Sequence, residues 1–138
     1  MPPDSTSNQK PKLLLIDDDS FLIDVYARKF SERGYDVATA CDGEQALGKL
    51  REGLSPSIIL LDVVMPKLDG FGLLEAMSKE HLAEHAVPIV LSNQESAADI
   101  AKATSLGALG YVVKANSIPS EVVDQVEAIV AKNRARLG

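Results

Sequence analysis

The sequence predicts an α/β domain, a (βα)5 doubly wound fold on a five-stranded parallel sheet. Five short strand-like segments alternate strictly with five helix-forming segments, and the connections between them are short. The apolar run Ile58–Leu61 shows no polar alternation, which is typical of a strand that helices cover on both faces. Strict alternation with short connections implies right-handed crossovers and parallel strands.

The strands are expected at five places, and the weaker apolar character of the second favours a sheet edge: Lys12–Ile16, Tyr35–Ala40, Ser57–Leu61, Val87–Leu91 and Ala108–Val113. Before them, residues 1–11 are polar and proline-rich and are interpreted as a disordered leader. The domain is assigned to residues 12–132, and residues 133–138 are interpreted as a short basic tail.

The helices are expected between the strands; caps are predicted for the first, second and last, and apolar stripes at helical spacing for all but the fourth. The first begins after Asp19 or Ser20, the second after Asp42 with Gln45 as capping-box partner, and the last after Ser117. The third is expected over Asp69–Ala83, and the alanine-rich fourth over Ser96–Leu106 is expected to pack less firmly than its neighbours. The stripes of the first and last helices are Leu22, Val25, Tyr26 and Phe30, and Val122, Val126, Ile129 and Val130.

Composition restricts the classes of function. The chain has 138 residues, which suits one domain, and its net charge of −6 comes without a basic stripe, so nucleic-acid binding is not expected. No apolar run approaches the roughly 20 residues that span a bilayer. Cys41 is the single cysteine, which fits a reducing cytoplasm and excludes a disulfide framework. We therefore expect a cytoplasmic protein without a membrane partner.

Polar side chains stand where four of the five strands end. Asp17 and Asp18 follow the first strand, Asp62 the third, Ser92 the fourth and Lys114 the fifth. In a parallel sheet these positions open onto one edge, where open α/β sheets place their ligands. Taken alone, Asp62 is equally well explained as a helix-capping or turn aspartate; the joint pattern favours a functional cluster.

Three carboxylates at one edge need a proton or a cation. At about 4 Å they repel one another by several kcal/mol even at an effective dielectric constant near 20. Oxygen ligands without histidine or cysteine favour Mg²⁺. Lys114 and Ser92 are suited to bind phosphoryl oxygens, and a carboxylate nucleophile would then form an acyl phosphate. The pattern thus indicates phosphoryl chemistry on an aspartate.

Four segments carry a family resemblance: LLLIDDDS, LLDVVMPKLDG, VLSNQ and GYVVKANS. In order and spacing they resemble a response-regulator receiver domain of the stand-alone, chemotaxis-regulator-like kind, from about Lys12 to about Lys132. The resemblance implies a flavodoxin-like strand order, 2-1-3-4-5.

The resemblance also implies a role for each site residue. Asp62 matches the phosphoacceptor, Asp18 the direct Mg²⁺ ligand and Asp17 the acid that holds the metal through water. The main-chain carbonyl of Val64 matches a further Mg²⁺ ligand. Asp19 is expected outside the site, as a helix cap.

Three other positions match residues that respond to phosphorylation. Ser92 matches the switch hydroxyl, Lys114 the lysine that pairs with the phosphoryl group, and Tyr111 the aromatic switch. The fourth helix, fifth strand and fifth helix would form the face that changes.

The sequence departs from the family pattern beside the site. Ala115 stands where the family usually has proline after a cis peptide bond; a non-prolyl cis bond costs roughly 2.5–4 kcal/mol, so the isomer of the Lys114–Ala115 bond is left open. Asn93 replaces a small residue at the mouth of the site. Val64 and Gln94 occupy positions that affect dephosphorylation in the family. The apolar Val64 cannot position an attacking water, so slow or moderate self-dephosphorylation is expected.

The leading hypothesis is a single-domain response regulator of a two-component system or phosphorelay. A histidine kinase or histidine phosphotransfer protein would donate the phosphoryl group, and the switched face would control an unknown downstream protein. The protein would be a monomer or a weak phosphorylation-dependent dimer, and no enzyme beyond its own phosphoryl transfer and dephosphorylation.

Two other classes of function were weighed against it. An aspartyl-phosphatase would generally carry a second acid two residues after the nucleophile, where this chain has Val64. A phosphorylation-independent scaffold of receiver shape would be expected to have lost an acid or the lysine, and this chain retains both.

Overall fold

The computed structural model describes residues 10–65, 67–93, 96–114 and 118–137, with side chains described as far as residue 133. The expectations for most of the leader, for Gln94, for Ala115 and its peptide bond, and for the Ser117 cap lie outside these residues.

Five strands and five helices alternate along the chain: β1 (Lys12–Ile16), α1 (Ser20–Glu32), β2 (Asp36–Ala40), α2 (Gly43–Arg51), β3 (Ile58–Leu61), α3 (Gly70–Glu80), β4 (Val87–Ser92), α4 (Ala97–Ser105), β5 (Gly110–Val113) and α5 (Pro119–Leu137). The strands form one parallel sheet in the order β2-β1-β3-β4-β5. The predicted fold class and strand order are confirmed, and β2 lies at an edge as expected.

Helices cover both faces of this sheet, and successive strand residues point to opposite sides. Leu13 and Leu15 pack with α1 and α5, whereas Leu14 and Ile16 pack with α2, α3 and α4. All four residues of Ile58–Leu61 are fully buried, which confirms the interpretation of the unbroken apolar run.

Four helices begin at a capping side chain, and two of these caps, Asp19 and Asp42, were predicted. The Asp42 side chain accepts from the backbone N–H of Gln45 at 2.7 Å, as expected of the cap. The Gln45 side chain accepts from the N–H of Cys41 at 3.1 Å, one residue before the N-cap, so it supports the helix start without the reciprocal bond to Asp42 that defines a capping box. The other three caps are Asp19, Asp69 and Ser96. Asp19, which the sequence analysis placed outside the site, therefore has the capping role expected of it.

Some boundaries and apolar stripes were wrong. The third helix ends at Glu80 rather than reaching Ala83, because His81 adopts a left-handed conformation with φ of 56°. In α1, Ile23 and Ala27 pack against the core, whereas Val25 lines a groove at the surface. In α5, Val123 is fully buried and was not anticipated.

Two helices bear on later arguments. In α4 only Ala103 is buried, which confirms the expectation that this helix packs less firmly than its neighbours.

Helix α5 continues to Leu137, through residues expected to form the basic tail. Among the described helices, none combines the length and apolar character that crossing a membrane requires.

Candidate functional site

The carboxyl ends of β1 and β3 hold the central acids side by side. Ile16 pairs with Leu61 in the sheet register, so the next residues, Asp17 and Asp62, emerge together. The Asp62 backbone N–H donates to the Ile16 carbonyl at 3.0 Å, and the Asp17 N–H donates to the Ala40 carbonyl at 3.2 Å. Hydrogen bonds of the sheet type thus fix the backbone from which both carboxylates project.

The predicted acidic cluster is present. One carboxylate oxygen from each of Asp17, Asp18 and Asp62 lies within 4.8 Å of the others. Asp17 is 1% exposed and Asp62 is 7% exposed, whereas Asp18 is exposed to solvent. An oxygen-only set of this size suits a hard divalent cation such as Mg²⁺, with the exposed side left for water or a ligand. The residues present therefore fit the expected ion.

Lys114 reaches the same cluster from β5. Its Nζ atom donates to Asp17 Oδ2 at 2.9 Å and to Asp62 Oδ2 at 3.4 Å. All three side chains are almost wholly buried. The contact shows that Lys114 enters the site even though alanine follows it.

Burial and charge shift two pKa values in this cluster. Burial raises the pKa of the Asp62 carboxyl, and the nearby Lys114 ammonium offsets this only in part. Burial by itself would lower the pKa of Lys114, but the hydrogen bond to Asp17 and the charge of Asp62 outweigh it, so that pKa is raised. The lysine therefore stays charged, and burial makes Asp62 easier to protonate than a carboxyl in water.

Backbone groups orient the two buried acids. The Asp62 Oδ1 atom accepts from the Val64 N–H at 3.2 Å, and the Asp17 Oδ1 atom accepts from the Asp19 N–H at 3.0 Å. The Val64 side chain itself is 79% exposed at the rim of the site. Gly70 packs so closely against the same turn that a Cβ at this position would overlap the Asp62 carbonyl oxygen.

An open cavity of about 390 Å³ lies over Asp62. Seven of the described residues line it: Asp18, Asp62, Val63, Val64, Ser92, Asn93 and Asp99. Most of this set was predicted from the sequence, but Asp99 was not. The sequence feature that could have pointed to Asp99 is its place in the first turn of α4, the helix that directly follows the strand carrying Ser92.

Tyr111 lies apart from the cavity lining. It pairs with Val90 in the sheet register and is half-buried against the core cluster that contains Ala103. Its proposed switching role stays a prediction. The same holds for the Val64 carbonyl as a metal ligand, since the measured contact of Val64 is made by its N–H.

The comparisons with known proteins agree with this geometry. The profile of the "Response regulator receiver domain" family matches residues 13–127. The "Probable transcriptional regulator ycf27" of Porphyridium aerugineum is 35% identical over 125 residues, which cover 90% of this chain and 50% of that protein. The "Alkaline phosphatase synthesis transcriptional regulatory protein PhoP" of Bacillus subtilis is 36% identical over 122 residues, which cover 88% and 49% of the two chains. The chain spans about half the length of these curated relatives.

A solved structure matches over nearly its whole length. The chemotaxis response regulator CheY4 of Vibrio cholerae superposes with a TM-score of 0.80 at 25% identity, covering 88% of this chain and 99% of that one. The family consists of signalling proteins rather than enzymes, and its members receive phosphoryl groups from histidine kinases. From the profile match, the relatives and the acidic cluster with its lysine, we conclude that the chain belongs to the response regulator receiver domain family.

Proposed function

We propose that the protein is a response regulator of a two-component system or phosphorelay in which Asp62 accepts the phosphoryl group. The observation that carries the proposal is the position of Asp62, which lies buried between two other acids and Lys114 at the floor of an open cavity. The donor would be the phosphohistidine of a histidine kinase or of a histidine phosphotransfer protein.

The transfer forms one bond and breaks another. A carboxylate oxygen of Asp62 attacks phosphorus, the phosphorus–nitrogen bond breaks, and its electron pair remains on the imidazole of the donor. The product is an acyl phosphate on Asp62. The Val64 N–H holds Oδ1 of the nucleophile and Lys114 lies beside Oδ2, so both oxygens are oriented before the donor arrives.

Charge at the phosphoryl oxygens needs compensation. Bound Mg²⁺, held by Asp17, Asp18, Asp62 and the Val64 carbonyl, would supply positive charge for these oxygens. Lys114 can pair with one phosphoryl oxygen, and the Ser92 hydroxyl on the cavity wall can donate to another.

The output would pass through the face formed by α4, β5 and α5. Movement of Ser92 and Tyr111 toward the phosphoryl group would displace α4. Because Ala103 is the only buried residue of this helix, its displacement would cost little free energy. A protein of unknown identity would read this face in the cytoplasm, without nucleic acid or membrane. The regulator itself would be a monomer or a weak phosphorylation-dependent dimer, and the stand-alone arrangement stays a prediction.

Labelling tests the proposal. The protein is incubated with Mg²⁺ and phosphoramidate, and acid-labile phosphate and intact mass are measured. We expect the wild type to gain one phosphoryl group, the Asp62→Asn variant to gain none, and Asp36→Asn, an exposed acid of β2, to behave as the wild type. Undiminished labelling of Asp62→Asn would refute the assignment. Binding of beryllofluoride with Mg²⁺ separates the proposal from a phosphorylation-independent scaffold, which would bind none.

A further inference from the structure

Asp99 gives the cavity over Asp62 a carboxylate that the acidic cluster does not include. It lies in the first turn of α4 and lines the same cavity as Asp62. The backbone N–H of Asp99 donates to Oγ of Ser96, the N-cap residue of α4, at 3.3 Å. Among the described residues, no salt bridge to the Asp99 carboxylate occurs within 4.0 Å, and the metal-sized cluster contains Asp17, Asp18 and Asp62 but not Asp99.

The charges beneath Asp99 can balance without it. Three ionised carboxylates and the Lys114 ammonium leave a net charge of −2 in the cluster, which one divalent cation would cancel. The other described residues of the lining are neutral: Val63, Val64, Ser92 and Asn93. Within the described lining, Asp99 is then the uncompensated charge that an incoming phosphodonor meets.

We propose that Asp99 is a specificity-determining residue, which disfavours small dianionic phosphodonors relative to donors that carry less negative charge. Phosphoramidate has a protonated nitrogen on phosphorus at neutral pH and presents less net negative charge than an acyl phosphate, and a phosphorylated imidazole does the same when its ring is protonated. The Asp99 carboxylate repels dianionic acyl phosphates more strongly than donors of lower charge. The site therefore resists phosphorylation by free acyl phosphates. The inference rests on the proposed function, because it concerns how the same aspartate is reached.

The test compares two donors on four proteins. Initial rates of Asp62 labelling are measured with acetyl phosphate, a dianion at neutral pH, and with phosphoramidate, mainly a monoanion. The proteins are the wild type, Asp99→Asn, Asp99→Glu and Glu44→Gln. Glu44 is an exposed acid in the first turn of α2, outside the cavity lining, so its variant removes a similar charge from a helix start elsewhere.

We expect Asp99→Asn to raise the acetyl phosphate rate relative to the phosphoramidate rate by about threefold to tenfold, the effect of one unit charge across a solvent-filled cavity. Added salt should shrink this difference, since screening acts on exposed charges. Asp99→Glu and Glu44→Gln should retain the wild-type ratio. Magnesium affinity, measured by calorimetry without any donor, should fall by no more than about tenfold in Asp99→Asn and by less in added salt, because Asp99 lies outside the cluster and acts on the ion only through its charge.

Different contrary results would refute the role of Asp99 and the proposed function separately. An unchanged donor ratio in Asp99→Asn, or a ratio that Glu44→Gln alters equally, would overturn the role of Asp99. A large loss of magnesium affinity in Asp99→Asn would overturn it too, since it would make Asp99 part of the metal site. A wild type that takes label from neither donor would instead refute the proposed function itself.

Discussion

Replacing Lys114 with methionine tests the electrostatic account of the site. At an effective dielectric constant near 20, its contacts of 2.9 Å to Asp17 and 3.4 Å to Asp62 correspond to attractions of roughly 5–6 kcal/mol each, before the cost of burying the charges. Removing the ammonium leaves two buried carboxylates without a cation, which typically costs about 3–5 kcal/mol. We expect Lys114→Met to lose that much free energy of unfolding at pH 7 in EDTA.

Protonation limits the loss and gives it a pH dependence. Protonating a carboxyl of ordinary pKa near 3.9 at pH 7 costs about 4 kcal/mol, so an uncompensated acid can take a proton instead. Because burial already raises the pKa of Asp62, the deficit of Lys114→Met should shrink as the pH falls from 7 toward 5. Mg²⁺ should shrink it as well, since a bound cation replaces the missing charge.

The assay is urea unfolding followed by circular dichroism. Lys79→Met serves as the control, because Lys79 is 74% exposed and its pair with Glu75 at 3.9 Å should contribute little. A deficit below about 1 kcal/mol for Lys114→Met in EDTA, or one that neither acid nor Mg²⁺ reduces, would refute the reasoning.

Three further predictions concern the surroundings of the site. Gly43→Ala should destabilise the protein by about 1–3 kcal/mol, because a Cβ would overlap the Leu68 carbonyl oxygen, whereas Gly48→Ala, with open space, should stabilise it by about 0.5–1 kcal/mol; urea unfolding measures both. Val64→Asn should lose its phosphoryl group several-fold faster than the wild type, because an amide beside Asp62 can orient water; equal release time courses would contradict this. Lys102→Gln should speed amide hydrogen exchange in α4, because the Lys102 ammonium lies 4.6 Å from the centroid of the Phe71 ring and links α4 to α3. Lys79→Gln, a control on α3 that leaves this contact intact, should not change the exchange rate.

Sequence reasoning worked where topology alone fixes position. A residue directly after a parallel strand must lie at one edge of the sheet, so the convergence of Asp17, Asp62 and Lys114 followed from strand boundaries. The same logic could not place Asp99, because a helix residue reaches the cavity only through the tilt and approach of α4, which tertiary packing sets.

The errors within helices have a similar cause. Spacing alone assigned Val25 to the stripe of α1, but the rotation of the helix on the sheet packs the partly buried Ile23 and Ala27 against the core instead. The end of α3 depended on a left-handed histidine, His81, and that conformation is uncommon for a residue other than glycine. Both features are decided by contacts between elements rather than by local sequence.

The location of Lys114 has a mechanical consequence. It follows the outermost strand, β5, while its partners follow β1 and β3, roughly 10–14 Å away at the usual spacing between strands. Lys114 therefore links an edge strand to the centre of the sheet through two ionic contacts. If a bound anion drew the ammonium away from Asp17 and Asp62, β5 would lose this link, and a change of charge at the centre of the sheet would reach its edge.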